Sequence, residues 1–289
     1  MLNLYRLLIN LVLLISPLII ILRLIKKKEH PIRFKEKFCF FSIKRKNGKL
    51  VWFHGSSVGE ILSIIPLVEK LEKNKSIKKI LITSSTLSSS KIITKFKLKK
   101  TVHQFFPIDA NFLTKKFLDY WNPAIAIFVE SEIWPNMLMN VKKKSIPLVL
   151  LNARITQKSY KKWKMISLLS KFLFESFDIS FPQNHETKKY LNSLGVKKIK
   201  FLGNLKFSES KTQKNSALNK NIEKIFKSRK IWCAASTHEG EEKICAEAHQ
   251  KLKKKYKKLL TVIIPRHVHR VNDKYKENLD MGCKVQIHS

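Results

Sequence analysis

The chain has 289 residues, 44% of them apolar, which is enough for two domains with sizeable cores. Lys and Arg number 58 against 21 Asp and Glu, a formal net charge of +37. That excess points to an anionic partner such as a membrane surface or a phosphorylated substrate, and not to nucleic acid, for which neither paired metal-ligand cysteines nor an aromatic-and-glycine RNA-binding signature is present. The lysines are dispersed along the whole chain, so part of the charge reflects a general compositional bias.

Residues 4–25 form the most apolar segment, with 7–22 free of charge. Sixteen such residues fall short of the roughly 20 that a spanning helix needs, but Arg6 and Arg23 can snorkel and lengthen the span. Lys26, Lys27 and Lys28 follow at once and place that end in the cytoplasm. An oblique helix in the inner leaflet, kinked at Pro17, is the other reading. No small-residue cleavage site follows, as a signal peptide would require. Residues 29–49, with Phe34, Phe38, Phe40 and Phe41 among basic residues, suit either a membrane-surface collar or packing onto the first domain.

From Leu50 onward strands and helices alternate. Apolar runs at 50–53, 79–83, 101–106, 124–130 and 147–153 read as buried parallel strands. Helices are expected at 60–73, 87–97, 110–120, 133–143 and 159–175. Shorter strands follow at 178–182 and 198–203, around a helix near 185–194. The serine-rich loop 84–90 reads as a solvated loop, with anion binding as the alternative. Residues 207–218 are polar and unpatterned, a linker. A second α/β unit then offers strands at 231–235, 259–264 and 284–287, with a helix capped by Ser236 or Thr237. The expected divisions are a membrane anchor at 1–28, a first domain at 29–206, the linker, and a partial second domain at 219–289.

Cys39, Cys233, Cys245 and Cys283 make no close pair and no metal spacing, so free thiols are expected. His267 and His269 have no third ligand at helical or strand spacing, so no metal site is expected.

Chemistry-bearing residues gather at strand ends. In His54-Gly55-Ser56-Ser57-Val58-Gly59-Glu60 a buried strand runs into a turn and a helix. Gly55 and Gly59 let the backbone turn sharply. Glu60 at the helix start reads either as a dipole-complementing acid or as a functional carboxylate. Glu130 and Glu132 lie just beyond another strand. Gly203, Asn204, Leu205 and Lys206 lie at the domain junction. In the second domain Ser236, Thr237 and His238 pair with Pro265, Arg266 and His267. Acids in one domain and cationic or helix-end groups in the other suit a base near an attacking hydroxyl and positive groups near a departing phosphate.

Seven stretches occur in a familiar order: WFHGSSVGE (52–60), PIDANFLTKKFLDYWNP (107–123), VESEIWPN (129–136), LNARIT (151–156), LGNLKF (202–207), ASTHEGEE (235–242) and IIPRH (263–267). With the apolar segment before them, the chain resembles the 3-deoxy-D-manno-octulosonic acid (Kdo) transferases of Gram-negative bacteria. The resemblance implies a GT-B-like α/β architecture of two Rossmann-like domains. It implies transfer of Kdo from CMP-Kdo to the lipid A precursor, lipid IVA, at the cytoplasmic face of the inner membrane, with inversion and without a cofactor or catalytic metal. Carried over by motif, Glu60 is the general base. Glu130 stabilises the transition state, with Glu132 as its alternative, and Lys206 meets charge developing near the donor. Pro265 and Arg266 lie on the CMP. Substrate contacts are further implied at Ser56, Ser57, Asn152, Ser236, Thr237 and His238. Anionic inner-membrane lipids are implied partners. The family's second domain continues past the point where this sequence stops, with a glycine-rich loop and a Gly-His-Asn stretch that belong to the CMP site. The 289-residue chain by itself is therefore expected to be a poor transferase. The alternative is an inactive remnant that retains membrane or acceptor binding.

Overall fold

The computed structural model describes residues 2–205, 220–267 and 270–287. The chain divides into two compact units, Met1–Gln213 and Lys214–Ser289. The expected linker at 207–218 and Lys206 lie outside the described residues.

The first unit is built on a parallel six-stranded sheet. Its strands are β1 (Leu50–His54), β2 (Lys79–Ser84), β3 (Thr101–Phe105), β4 (Ile125–Val129), β5 (Leu148–Ala153) and β6 (Ile179–Pro182), in the spatial order 3-2-1-4-5-6. Helices α2 (Val58–Glu72), α3 (Leu87–Ile93), α4 (Asn111–Trp121), α5 (Pro135–Lys143), α6 (Gln157–Met165), α7 (Ser167–Phe174) and α8 (His185–Ser193) make the connections. Side chains alternate across a strand, and both faces of this sheet are covered. Leu50 and Trp52 enter a core with Phe117, Trp121, Phe128 and Leu138. Val51 and Phe53 enter the opposite one with Ile61, Ile64, Ile65 and Val68 of α2. Two buried faces explain why these strands read as unbroken apolar runs.

Several elements differ from the sequence reading. The helix expected over 159–175 breaks at Ile166, where φ is −114° and ψ is 46°. α6 has no buried residue, whereas α7 buries Ser170, Leu173 and Phe174, so the break turns the second half into the core. α3 stops at Ile93, and Phe96 and Leu98 then pack under α2 instead of continuing the helix. The expected strand at 198–203 reduces to one bridge, Ser180 to Ile199.

The segment after residue 28 packs onto the sheet. Glu36 is buried; it accepts from the Phe105 amide at the end of β3 and pairs with Arg33 at 2.9 Å. Phe41 stacks on Tyr120 with ring centroids 3.7 Å apart. Only Phe40 of the four phenylalanines is strongly exposed, at 62%. The collar is thus largely fold packing.

Before it stands α1 (Leu2–Ile25), long and apolar enough to cross a membrane by length and composition. It is tied to the first unit near both ends. The Tyr5 hydroxyl donates to Asp109 at 2.7 Å, and Arg6 Nε donates to Asn136 Oδ1 at 3.0 Å. Arg23 pairs with the buried Glu29 at 3.0 Å. Leu2, Ile9, Leu13, Ser16 and Ile20, spaced seven, four, three and four apart along one helical face, face inward. Leu7, Leu11, Leu14, Leu18, Ile21 and Ile25 remain exposed.

The second unit contains α9 (Lys220–Lys227), β7 (Lys230–Thr237), α10 (Glu241–Lys255), β8 (Leu259–Pro265) and α11 (Val271–Asp280), with β7 and β8 parallel. The strand expected at 284–287 is not formed. Its Val-Gln-Ile alternation suits a strand, but among the described residues it finds no ladder to join.

Trp52 is fully buried among Phe106, Phe117 and Phe128, and its indole N–H donates to Thr83 Oγ1 at 2.9 Å. Trp52→Ala is expected to destabilise the first unit by about 3–5 kcal/mol, read as a lowered midpoint in chemical denaturation.

Candidate active site

Adjacent strands β1 and β4 lead to connections on opposite sides of the sheet order, so a crevice opens beyond their carboxyl ends, where α/β sheets bind ligands. His54-Gly55-Ser56-Ser57 leaves β1 there, and Glu130-Ser131-Glu132 leaves β4.

Ser57 caps α2, its hydroxyl accepting from the Glu60 amide at 3.2 Å. Glu60 replies with both oxygens: Oε1 accepts from Ser57 Oγ at 2.8 Å and Oε2 from the Ser56 amide at 2.7 Å. The arrangement is a variant of the capping box, in which the carboxylate takes the amide of Ser56, one residue before the cap, and the hydroxyl of the cap itself. Gly55 favours the close approach of that side chain, since an added Cβ would lie 3.1 Å from Glu60 Cβ, a tight contact. Ser56 also reaches the other way, its hydroxyl donating to Glu132 Oε2 at 2.7 Å. The same Glu132 oxygen accepts from Trp134 Nε1 at 2.7 Å and lies 3.0 Å from His54 Nε2. With Nε2–H donated to Glu132, His54 Nδ1 accepts from the Thr83 hydroxyl at 3.0 Å. Its ring is buried and stacked on Phe106.

The two carboxylates are tuned apart. Burial raises the Glu60 carboxyl above the ordinary range, and repulsion from Glu132 and Glu130 adds to this, partly offset by the donors from Ser57 and Ser56. Burial also acts on Glu132, but the donors from His54, Ser56 and Trp134 outweigh it and hold Glu132 below the ordinary range. Glu132 is therefore a fixed anion with its donors in place, and Glu60 a carboxylate poised to take a proton.

Glu130 is nearly buried and sits at φ 58°, an uncommon conformation for a residue with a side chain. On the next strand Asn152, fully buried, sits at φ 52°, and its Oδ1 accepts from the Leu205 amide at 3.0 Å. Asn152 thereby holds residues 203–205 beside the sheet's carboxyl edge; Lys206, next in sequence, lies outside the described residues. The serine-rich loop is ordered support for the site. Ser85 pairs with Ser56, and the hydroxyls of Thr86 and Ser89 donate to the Ser56 carbonyl at 3.4 and 2.8 Å.

In the second unit Ser236, Thr237 and His238 follow the body of β7, and Pro265 and Arg266 end β8, so these five meet at one edge. Arg266 N donates to the Thr237 carbonyl at 3.1 Å. The cap of α10 is Gly240 at φ 88° and not Ser236 or Thr237, because the Thr237 hydroxyl is taken by the buried Glu242 at 2.8 Å. Arg270 completes that anchor, bonding Glu242 Oε2 and the Thr237 carbonyl.

The sequence reading picked out Ser56, Ser57, Glu60, Glu130, Glu132 and Asn152, and the structure brings these to one sheet edge. It did not single out His54, Trp134 or Thr83. A histidine inside an otherwise apolar strand was the available signal for His54, and a place in the VESEIWPN motif was that for Trp134; Thr83 carried none.

A Rossmann-like sheet with acids at its switch point and a second βαβ unit define a GT-B-like α/β protein. A UDP-GlcNAc 2-epimerase of Neisseria meningitidis, solved bound to UDP-GlcNAc, has this fold, with a TM-score of 0.58 at 18% identity over 81% of this chain and 69% of that one. The family model of 3-deoxy-D-manno-octulosonic-acid transferase matches residues 32–209, and the chain belongs to that family. A 3-deoxy-D-manno-octulosonic acid transferase of Rickettsia bellii is 34% identical over 94% of this chain and 65% of its own length. A probable mitochondrial one of Arabidopsis thaliana is 33% identical over 88% and 59%. The chain thus spans less than two thirds of these relatives.

Removing the Glu132 charge is expected to lower the Glu60 pKa while leaving it above the ordinary range, since burial remains. Carbon-13 NMR titration of Glu60 in wild type and Glu132→Gln reads this directly; an unchanged or raised Glu60 pKa would contradict the coupling.

Proposed function

We propose that the protein transfers Kdo from CMP-Kdo to a hydroxyl of the lipid A precursor, lipid IVA, by inverting glycosyl transfer. Glu60 carries the reading: a partly buried carboxylate of raised pKa at the switch point, in a chain of the Kdo transferase family. As general base it takes the proton of the acceptor hydroxyl while that oxygen attacks the anomeric carbon of Kdo and the CMP phosphate departs. Ser56 and Ser57 aim it through the two hydrogen bonds they donate. Glu130 stabilises the positive charge that develops on the sugar, Glu132 keeps the Ser56 turn in place, Asn152 positions Leu205, and Lys206 meets the charge that develops near the donor.

On this reading the first unit is the acceptor domain and the second the nucleotide-sugar domain, joined by the linker at 207–218. Ser236, Thr237, His238, Pro265 and Arg266 form the CMP edge, where an arginine suits bidentate phosphate contact. The apolar α1 anchors the protein at the cytoplasmic face of the inner membrane, with anionic lipids drawn to its basic end.

Glu60→Gln is expected to lower transfer about a hundredfold to ten-thousandfold with an unchanged circular dichroism spectrum. It is measured with CMP-Kdo and lipid IVA in this chain and in a chain continued to the length of its relatives. Because the base works ionised, the wild-type rate falls as pH drops through the Glu60 pKa, at a pH above the ordinary carboxylate range. Comparable turnover in the variant rejects the assignment.

Arg266→Ala is expected to raise the KM for CMP-Kdo about tenfold to a hundredfold, the worth of one charge-assisted hydrogen bond, with the KM for acceptor little changed. Equal donor KM in both proteins would remove Arg266 from the CMP edge.

A further inference from the structure

A second cationic feature lies at the carboxyl end of α1, apart from the carboxylates. A pocket of about 390 Å³ is lined by Arg23, Lys27, Lys28, Thr86, Leu87, Ser88 and Lys91. Four cations and two hydroxyls line it, with no carboxylate among them. Arg23 is already held: its Nε donates to the buried Glu29 and its Nη2 to the Lys28 carbonyl. Lys27, Lys28 and Lys91 are exposed and enter no ion pair among the described residues. Three uncompensated ammonium groups around one concavity repel each other and attract an anion. The guanidinium, the lysines and the Ser88 hydroxyl together offer what a phosphate oxygen set accepts, the Thr86 hydroxyl being engaged by the Ser56 carbonyl.

Its two walls indicate which phosphate. One wall ends α1, whose outward face exposes Leu7, Leu11, Leu14, Leu18, Ile21 and Ile25. An interfacial helix of this kind buries its apolar face at the acyl boundary, which leaves its terminal lysines among the headgroups. The other wall is the loop whose Thr86 and Ser89 hydroxyls hold the Ser56 carbonyl, and Ser56 in turn bonds both Glu60 and Glu132. The pocket is thus one hydrogen-bonded loop away from Glu60. We propose that it binds the phosphate monoester of the membrane-resident acceptor lipid and so brings the acceptor's sugar toward Glu60. This rests on the reading of Glu60 as the base of a transfer to a phosphorylated glycolipid.

The test compares binding of the 289-residue protein to phosphatidylcholine vesicles carrying either phosphatidic acid, a monoester, or phosphatidylglycerol, a diester, at matched surface charge. General attraction to negative surfaces cancels in the ratio of the two affinities. The wild type is expected to prefer the monoester about fivefold or more, as added charge-assisted contacts would give. The double variant Lys28→Ala/Lys91→Ala should lose the preference, whereas Lys161→Ala/Lys162→Ala on α6 should keep it. No preference in the wild type, a preference that survives in Lys28→Ala/Lys91→Ala, or its loss in both double variants overturns the proposal. Inorganic phosphate is the third arm. Binding of the free ion as tight as that of the monoester vesicle would make this a free-phosphate site and overturn the lipid assignment. Glu60→Gln separates the two readings. It should keep the monoester preference while losing transfer. A preserved preference without turnover in wild type removes the transferase reading and leaves the pocket. Turnover with an acceptor KM unmoved in Lys28→Ala/Lys91→Ala removes the pocket and leaves the transferase.

Discussion

The site depends on one serine placed between two acids. Ser56 gives its amide to Glu60 and its hydroxyl to Glu132, at 2.7 Å in each case. Both bonds follow from the turn after β1, where Gly55 leaves room for the Glu60 side chain. The turn is fixed from a third side as well, because Thr86 and Ser89 bond the Ser56 carbonyl. Amide, hydroxyl and carbonyl of one residue are therefore all engaged. Two half-buried acids that repel each other would ordinarily both have their pKa values raised. Here the donors are unequal. Glu132 receives an imidazole, an indole and a hydroxyl; Glu60 receives one amide and one hydroxyl. The difference in donors, not in burial alone, separates their affinities for a proton.

A second buried acid ties the apolar helix to this edge. Asp109 lies in the loop after β3 and accepts from the amides of Asn136 and Met137, the first turn of α5. Trp134, the residue before that helix, provides no side-chain cap, so a distant carboxylate does the capping. Tyr5 of α1 completes the set. Burial pushes the Asp109 carboxyl up to about 6, against the pull of these three donors. The same α5 turn follows directly on Glu132 and Trp134. The attachment of α1 and the geometry beyond β4 therefore share one scaffold, and the apolar helix is mechanically continuous with the acids. The second unit uses the same device: buried Glu242 takes the Thr237 hydroxyl and the Arg270 guanidinium, which sets the turn that leads from β7 toward α10.

The chain's alternating apolar runs determined the strands β1 to β6, because a strand buried on both faces must be apolar throughout and each run is bounded by turn residues. The motif order determined the family and marked Ser56, Ser57, Glu60, Glu130, Glu132 and Asn152. What the sequence could not determine was who partners whom. The break at Ile166 has no glycine or proline to announce it; it exists because Leu173 and Phe174 find a core. The strand expected at 284–287 had the right alternation and, among the described residues, lacked a ladder. The aromatic residues after α1 suited a membrane collar or packing, and only the contacts of Phe41 with Tyr120 and Trp121, and of Glu36 with β3, decided it. The roles of Glu60 and Glu132 were likewise open, since two glutamates have the same intrinsic acidity. Acidity in place is set by burial and by hydrogen-bond donors that lie up to 78 residues away in the chain, such as His54 for Glu132. That separation is bridged by the sheet order 2-1-4, a property of the tertiary structure and of no local stretch.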